Sequence, residues 1–349
     1  MDLRELRDSK AVTLVRDGGY FPVLAALGDD TVVAVLRMGA GHVGLAGRLA
    51  VLRSTDAGAT WSEPLTIADS EADDRNPALG VTRHGLLVCA YHIQRNYNEA
   101  GEYGACGKPV DVMLTRSHDG GRTWEPAYRM DFEPLQGRSP YGKIVTLADG
   151  TLLLPIYGDE IGATGEARPN CSYALRSRDS GLTWGDPTLI ARAFNETGLA
   201  LLPDGSLLAA LRTNTPPAAD HVWLSRSSDK GSTWSEPRQV TSPSEHPADL
   251  LSLPDGSVLM TYGRRHEPCG VRAVVLRGDS RSDELVISDD ALSGDCGYPS
   301  SVCLASGRIV TAYYAAGTSD WQVYNPDGCV ARALVWEEAA LQEAWAAPR

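Results

Sequence analysis

The sequence contains no run of about 18 apolar residues and no apolar core in its first residues, Met1–Asp8. A membrane-spanning helix needs about 20 such residues, and a secretory signal needs a shorter apolar stretch near the N-terminus. Positive charge is also scarce, because 32 Lys and Arg face 45 Asp and Glu, for a net charge of −13. A chain of this charge is poorly suited to bind nucleic acid. We therefore expect a cytoplasmic protein with no nucleic-acid or membrane partner.

Paired metal ligands are missing as well. None of the seven cysteines forms a Cys-x-x-Cys pair, and none of the seven histidines forms His-x-His or His-x3-His. The segment Gly39–Gly44 matches a dinucleotide fingerprint, but that fingerprint should open a helix, and here a second apolar strand follows. The sequence thus predicts no metal, no cofactor and reduced, mostly buried thiols.

An eight-residue pattern, Ser-x-Asp-x-Gly-x-Thr-Trp, is present four times. The copies begin at Ser54, Ser117, Ser177 and Ser227 and end at Trp61, Trp124, Trp184 and Trp234. Each follows a short apolar run, so we interpret it as a strand that enters a tight turn, with Asp accepting backbone hydrogen bonds and Gly supplying a positive φ. The Trp is expected to pack on the neighbouring repeat. The pattern predicts a repeat protein and carries no catalytic meaning.

A second pattern interleaves with the first, namely an apolar strand, a turn of the Asp-Gly type and a very apolar strand. Its six turns lie at Asp29-Asp30, His84-Gly85, Asp149-Gly150, Asp204-Gly205, Asp255-Gly256 and Ser306-Gly307. Such turns between apolar runs are strong hairpin signals. We predict an all-β fold, a six-bladed β-propeller of four-stranded antiparallel blades, formed by residues 1–349 as one domain. The N-terminal strand at Lys10–Val15 would complete the last blade and close the ring.

In a propeller, loops at one end of the central channel form a cup, and functional side chains lie near the starts of first strands and the ends of second strands. The starts carry Tyr20, Asp74, Arg75, Tyr141, Lys143, Asn195, Glu196, His246, Asp249 and Tyr298. The ends carry Arg37, His92, Tyr157, Asp159, Glu160, Arg212, Arg264, Arg265, Tyr313 and Tyr314. Arginines in this position suit a carboxylate-bearing ligand, because guanidinium binds carboxylate bidentately. For any one of these residues, a structural ion pair between blades is an equally good interpretation.

The boxes, the hairpins and the cup residues together resemble the sialidase (neuraminidase) superfamily, in its bacterial six-bladed form with Asp-box (BNR) repeats. The resemblance covers essentially the whole chain. It implies three arginines for the sugar carboxylate, a Tyr nucleophile assisted by Glu, and an Asp acid/base. By this resemblance Tyr298 is the nucleophile, Glu196 is its base and Arg212 is the second arginine. The third arginine is Arg264, Arg265 or Arg272, and the sequence leaves that choice open.

The chain departs from the family pattern at two places. Tyr20-Phe21-Pro22 stands where the family has Arg-Ile-Pro, and the loop Met38–Leu49 contains no carboxylate. We therefore expect His42 or Asp74 to be the proton donor, and Arg75 to replace the missing arginine in binding the sugar carboxylate. Arg37, His92 and Tyr20 are further candidate contacts to substrate.

The leading hypothesis is a carbohydrate-active enzyme of the sialidase superfamily, a glycoside hydrolase that acts on sialic acid or another small acidic sugar or glycoside. Sialidase activity proper is expected to be weak or absent, because the usual acid is missing. One alternative is a non-catalytic propeller that binds sugars or proteins, and another is a lyase or biosynthetic enzyme on the same scaffold.

Overall fold

The computed structural model describes residues 1–16, 18–104, 110–131, 138–159, 170–213, 220–317 and 328–346. Glu160 lies outside them. The first strands in chain order are β1 (Lys10–Val15), β2 (Gly18–Ala26), β3 (Val32–Met38), β4 (Arg48–Ser54), β5 (Leu65–Ala68), β6 (Asp73–Val81), β7 (Leu87–Gln94), β8 (Asp111–Ser117) and β9 (Tyr128–Arg129). Then come β10 (Ser139–Pro140), β11 (Gly142–Thr146), β12 (Leu152–Asp159), β13 (Asn170–Ser177), β14 (Gly185–Arg192), β15 (Phe194–Leu201), β16 (Leu207–Thr213), β17 (Val222–Ser227) and β18 (Arg238–Gln239).

The remaining strands are β19 (Glu245–Ser252), β20 (Val258–Arg264), β21 (Gly270–Arg277), β22 (Ser280–Arg281), β23 (Leu285–Ser288), β24 (Cys296–Cys303), β25 (Arg308–Ala316) and β26 (Cys329–Glu337). A short 3-10 helix spans Leu3–Glu5, and one α-helix, α1, spans Ala340–Ala346. Neither of these helices in the described chain is long and apolar enough to cross a membrane. The all-β prediction is confirmed.

The strands form a propeller-like set of small sheets. Three of them follow the chain, in the orders β2-β3-β4-β5, β15-β16-β17-β18 and β19-β20-β21-β22, with β23 also paired to β21. A fourth has the order β1-β26-β25-β24, so the N-terminal strand pairs antiparallel with β26, as predicted, with Lys10 opposite Val335. The fifth is a nine-stranded sheet that contains β6 to β14.

The sequence predicts six separate sheets, whereas the described residues form five. The difference arises because Gly142–Ile144 of β11 pair in parallel with Ala78–Gly80 of β6, which joins two neighbouring hairpin sets. This close approach needs a glycine, since a Cβ at Gly80 would lie 2.4 Å from the Ile144 carbonyl oxygen.

The four boxes form identical turns. In the first, the Ser54 Oγ accepts from the Gly58 N–H (2.8 Å), and Asp56 accepts from both the Thr60 N–H (2.9 Å) and the Thr60 hydroxyl (2.6 Å). The Trp61 indole N–H donates to the Gly58 carbonyl (3.1 Å). The same contacts recur in the other three boxes. Each turn is thus closed by its own side chains.

The apolar core lies between adjacent sheets. One cluster joins β2–β4 to β24–β26 and β1, and Trp61 packs on its edge. Trp124, Trp184 and Trp234 contact the corresponding clusters between later pairs of strand sets. The predicted packing of each box Trp against a neighbouring set is confirmed.

The innermost strands are interrupted near their N-terminal ends. The pairing register shifts within the first six residues of β2, β6, β15, β19 and β24. Phe21, Asn76 and Tyr298 adopt positive φ values of 54°, 50° and 46°, and each precedes a proline. Such irregularities re-aim side chains and are common beside functional sites. Here they mark one end of the inner strands.

Candidate active site

A cavity of about 720 Å³ lies at this end of the inner strands. Its wall includes Arg75 and Asn76 from the bulge in β6, and Tyr298 from the bulge in β24. Later positions in second strands add His92 from β7, Tyr157 from β12 and Arg212 from β16. The cavity wall thus includes both strand positions at which the sequence predicts functional side chains, together with loop residues.

Tyr298 and Arg212 line this cavity, and both contact the buried Glu196. The Tyr298 hydroxyl donates to Glu196 Oε1 over 2.7 Å, and Arg212 Nη1 lies 2.5 Å from Glu196 Oε2 and 3.2 Å from the Tyr298 oxygen. Burial raises the pKa of Tyr298, and the charge of Glu196 raises it further. Burial also favours neutral Glu196, but the charge of Arg212 and the two hydrogen bonds outweigh it and lower the pKa of that carboxyl group. A protonated phenol therefore faces an ionised carboxylate that is placed to take its proton.

Three arginines line the cavity, and their charges are compensated to different degrees. Arg212 pairs with Glu196 and also reaches Asp220 at 3.2 Å. Arg75 lies 3.7 Å from Asp73, while its guanidinium stands 5.5 Å from the Phe21 ring centre. Arg265 stands 5.3 Å from the Tyr298 ring centre and has no carboxylate partner in the described ranges.

His42 lies in the site beside Asp295, a carboxylate that is not among the predicted site residues. Its Nδ1 lies 2.9 Å from Asp295 Oδ1, the same oxygen that accepts a hydrogen bond from the Tyr314 hydroxyl at 2.6 Å. Both His42 and Asp295 line the cavity. Burial favours protonated Asp295, but the contacts with His42 and Tyr314 lower its pKa. Asp295 lies three residues before Tyr298, and this proximity to the predicted nucleophile was the available signal.

His92 also lines the cavity, as a buried neutral base. Its Nδ1 is 2.8 Å from the Ser139 hydroxyl, and Asn76 donates to Ser139 and to Tyr157, each over 3.1 Å. Burial, aided by the charge of Arg75, lowers the pKa of His92 to about 3. This cluster is polar but uncharged at neutral pH, apart from Arg75.

Among the predicted site residues, Arg37 and Asp74 do not line the cavity. Arg37 is fully buried and bonds to Asp73 through Nε at 3.0 Å and Nη2 at 2.6 Å. Its guanidinium also donates to the carbonyl groups of Ala40, Gly41 and Gly44, and these bonds fix the conformation of the loop after β3. Asp74 accepts from the Ser70 N–H (2.6 Å) and hydroxyl (3.0 Å). Burial raises the pKa of Asp74 to about 6, but its carboxyl group is turned away from the cavity.

Of the three alternatives for the third arginine, only Arg265 lines the cavity. Arg264 is the last residue of β20 and donates to the Pro268 carbonyl (3.1 Å). Arg272 is buried within β21 and lies 3.2 Å from Glu284. Tyr20 is also set back from the cavity, because its buried ring packs behind His42 at 5.9 Å.

Along the described parts of the chain, no group of three or more His, Cys, Asp or Glu side chains is arranged to hold a metal ion. The arrangement itself offers a hydroxyl nucleophile with its base, an under-compensated cationic wall and an imidazole–carboxylate pair. Nucleophilic attack at a carbon that lies near a carboxylate is chemistry that this set of groups can perform.

The profile of the BNR repeat-like domain family matches residues 40–311, which is most of the chain. The chain belongs to this BNR repeat-like family. It matches none of the curated proteins with which it was compared.

Solved structures with a similar fold extend the comparison of this BNR repeat-like protein. A Dyadobacter fermentans protein described as of unknown function has 24% identity and a TM-score of 0.78, and the match covers 95% of this chain and 100% of that one. A Hadza microbial sialidase has 17% identity and a TM-score of 0.69, with 93% and 66% covered. The Trypanosoma rangeli sialidase, described with 2,3-difluorosialic acid as a covalent intermediate, has 14% identity and a TM-score of 0.69, with 97% and 60% covered. The chain therefore spans about two thirds or less of these two sialidases and shares their fold.

Proposed function

We propose that this protein is a glycoside hydrolase that acts on sialic acid or another acidic sugar. The observation that carries the proposal is the 2.7 Å hydrogen bond from Tyr298 to Glu196, in a cavity lined by three arginines. A neutral phenol suits attack at an anomeric carbon next to a carboxylate, because a carboxylate nucleophile would be repelled there.

Each group then has a role that follows from its contacts. The Tyr298 oxygen attacks the anomeric carbon while its proton moves to Glu196, which Arg212 keeps ionised and in place. Arg265 and Arg75 bind the sugar carboxylate, since their charges are the least compensated in the cavity. The Trypanosoma rangeli sialidase, described as a covalent intermediate with a fluorinated sialic acid, supports this assignment by analogy of fold.

We also propose that the scaffold is a single six-bladed ring. The nine-stranded sheet would count as two blades, β6–β9 and β11–β14 with β10, joined by the parallel contact at Gly80. The pairing of β1 with β26 would then complete the sixth blade and close the ring.

An activity and trapping experiment tests the proposed reaction. Wild type, Tyr298→Phe and the control Tyr313→Phe, a buried tyrosine outside the cavity wall, are assayed on aryl glycosides of sialic acid and of a hexuronic acid. We expect wild type and the control to turn over one class, slowly for sialosides, and Tyr298→Phe to lose nearly all turnover. A 2,3-difluoro analogue of the accepted sugar should add one glycosyl mass to the tryptic peptide that contains Tyr298.

Other outcomes identify the alternatives. Binding of an acidic sugar without turnover would favour a sugar-binding propeller, and an unsaturated product would favour a lyase. Equal activity of Tyr298→Phe and wild type would refute the nucleophile assignment.

A further inference from the structure

We infer that Asp295 is a positioning residue that holds His42 as the general acid and base of this site. The inference rests on the proposed glycosidase function, and it assigns the group that protonates the leaving oxygen. It concerns a pair of side chains 253 residues apart in sequence, whose Nδ1 and Oδ1 atoms lie 2.9 Å apart.

Asp295 is itself held in one orientation. The Tyr314 hydroxyl donates to the same Oδ1 over 2.6 Å, and the Asp295 backbone bonds to Ser293 and Ala316. The carboxylate side chain is 7% exposed, so it has little freedom to turn elsewhere. A carboxylate so placed accepts a hydrogen bond from the Nδ1–H of His42 and thereby favours the Nδ1–H tautomer. Nε2 is then the nitrogen that gains and releases a proton during the reaction.

His42 is free to use that second nitrogen. Its side chain is 18% exposed and lines the cavity, and no hydrogen-bond partner of Nε2 is found in the described residues. The ring is clamped by aromatic neighbours, with Phe21 at 4.9 Å and Tyr20 at 5.9 Å between ring centres. The nucleophile is close by, because the His42 and Tyr298 ring centres are 6.4 Å apart.

The charges around His42 connect protonation to substrate binding. The titratable or charged groups that face it are Asp295, Tyr314, Tyr20, Tyr298, Arg75 and Arg265. Burial lowers the pKa of His42, Asp295 raises it, and the charges of Arg75 and Arg265 lower it again. A substrate carboxylate bound between the two arginines offsets their charge, so binding favours the imidazolium form. Substrate binding is thus expected to raise the pKa of His42.

The two half-reactions balance. In the first, the Tyr298 oxygen bonds to the anomeric carbon, the glycosidic C–O bond breaks, Glu196 takes the phenolic proton and the His42 Nε2 proton goes to the leaving oxygen. In the second, His42 Nε2 takes a proton from water, whose oxygen bonds to the anomeric carbon. The Tyr298–carbon bond then breaks, and the phenol recovers its proton from Glu196. No other reactant is needed.

Leaving-group dependence tests the acid. His42→Gln and Asp295→Asn are compared with the exposed controls His84→Gln and Asp279→Asn, on nitrophenyl and alkyl glycosides of the accepted acidic sugar. We expect kcat on the alkyl glycoside to fall about 100-fold or more in both site variants, and less than about 10-fold on the nitrophenyl glycoside, which needs no proton. In wild type, kcat/KM on the alkyl glycoside should also fall as pH rises through the pKa of His42.

The failure of this inference is separable from failure of the proposed function. Equal losses on both substrates, or no loss on the alkyl glycoside, would overturn the His42–Asp295 assignment, while Tyr298→Phe alone judges the nucleophile.

A second readout needs no substrate. Long-range ¹H–¹⁵N correlations of the His42 ring should show the Nδ1–H tautomer in wild type and its loss in Asp295→Asn, with the His84 ring unchanged. An Nε2–H tautomer of His42 in wild type would refute the inference.

Discussion

Arg264 and Arg265 are neighbours in the chain, yet only Arg265 reaches the cavity. Successive side chains at the end of an extended strand point in different directions, so one of the two is directed inward and the other to the Pro268 carbonyl. Arg265 keeps its guanidinium near Tyr298 without a carboxylate partner anywhere in the described chain. This pair therefore provides a matched test of the clamp.

We predict that Arg265→Ala weakens binding of an acidic sugar by about 2–3 kcal/mol, because a charge-assisted pair to the ligand carboxylate is lost. Binding of the neutral methyl ester should change little, and Arg264→Ala should change neither affinity. Isothermal titration of the four combinations measures this. Equal weakening of acid and ester would show that Arg265 is structural.

The buried His92 of the site should make the stability of the protein depend on pH. Its pKa is lowered from 6.5 to about 3 by burial and by Arg75, so it stays neutral in the folded protein while the unfolded chain binds a proton below pH 6.5. The unfolded state then holds more protons, and stability must fall as pH falls from about 6.5 towards 3.

Between pH 7 and pH 5 we predict that His92 alone removes about 2 kcal/mol from the free energy of unfolding. In His92→Asn this loss should be smaller by that amount, whereas the exposed His84→Gln should behave as wild type. Urea unfolding at both pH values provides the measurement. An unchanged pH dependence in His92→Asn would contradict a neutral, buried His92.

At the scale of the element, the boxes act as closed turns that also insert an aromatic ring between strand sets. Trp184 is the most buried of the four Trp side chains and belongs to the cluster between β6–β8 and β11–β14. Its ring lies among apolar side chains of that cluster and is absent from the cavity wall, so its contribution should be to stability alone.

Trp184→Ala should therefore cost about 3–5 kcal/mol of unfolding free energy through lost packing. The control Leu182→Ala, in the same box but 50% exposed, should cost about 0.5 kcal/mol or less. Ligand affinity of folded Trp184→Ala should match wild type. A variant that is fully stable but inactive would argue against a purely structural box.

At the scale of the whole molecule, the ion pair of Lys143 and Asp249, with its hydrogen bonds to Ser301, connects three sheets. Lys143 on β11 bonds to Asp249 on β19 (2.8 Å) and to the Ser301 carbonyl on β24 (2.6 Å), and Asp249 also accepts from the Ser301 N–H (2.7 Å). The two side chains are 16% and 7% exposed. For Lys143 and Asp249, these contacts support the alternative of a structural ion pair between sheets over a role in ligand binding.

Replacing Lys143 by Met should destabilise the protein by about 3–5 kcal/mol, because it leaves the Asp249 carboxylate buried without its partner. Lys230→Met provides the control, since Lys230 makes an exposed pair with Asp149 and should cost at most about 1 kcal/mol. Chemical denaturation compares the two, and adding Asp249→Asn should recover part of the loss. Equal costs for both lysine variants would show that the Lys143–Asp249 pair does not hold the sheets together.

The repeats, the all-β fold and most of the strand ends that surround the cavity follow from the amino-acid sequence. This is possible because box turns and hairpins are local, since each Asp, Gly and Thr bonds within about four residues of its own position. The family resemblance also singled out Tyr298, Glu196 and Arg212, which the folded chain brings into contact.

Which charged side chains line the cavity, and which support it from outside, depends on contacts between distant parts of the chain. Arg37 and Asp74 occupy favourable strand positions, but a neighbouring carboxylate and a serine hold their polar groups away from the cavity. Asp295 shows the converse, because its partner His42 lies 253 residues earlier and meets it through sheets that are adjacent only in the folded molecule. The parallel contact of β6 with β11, which reduces six sets to five sheets, is equally nonlocal. Local patterns specify turns and strands, whereas the direction of a side chain at an irregular strand end depends on contacts made after the strands assemble.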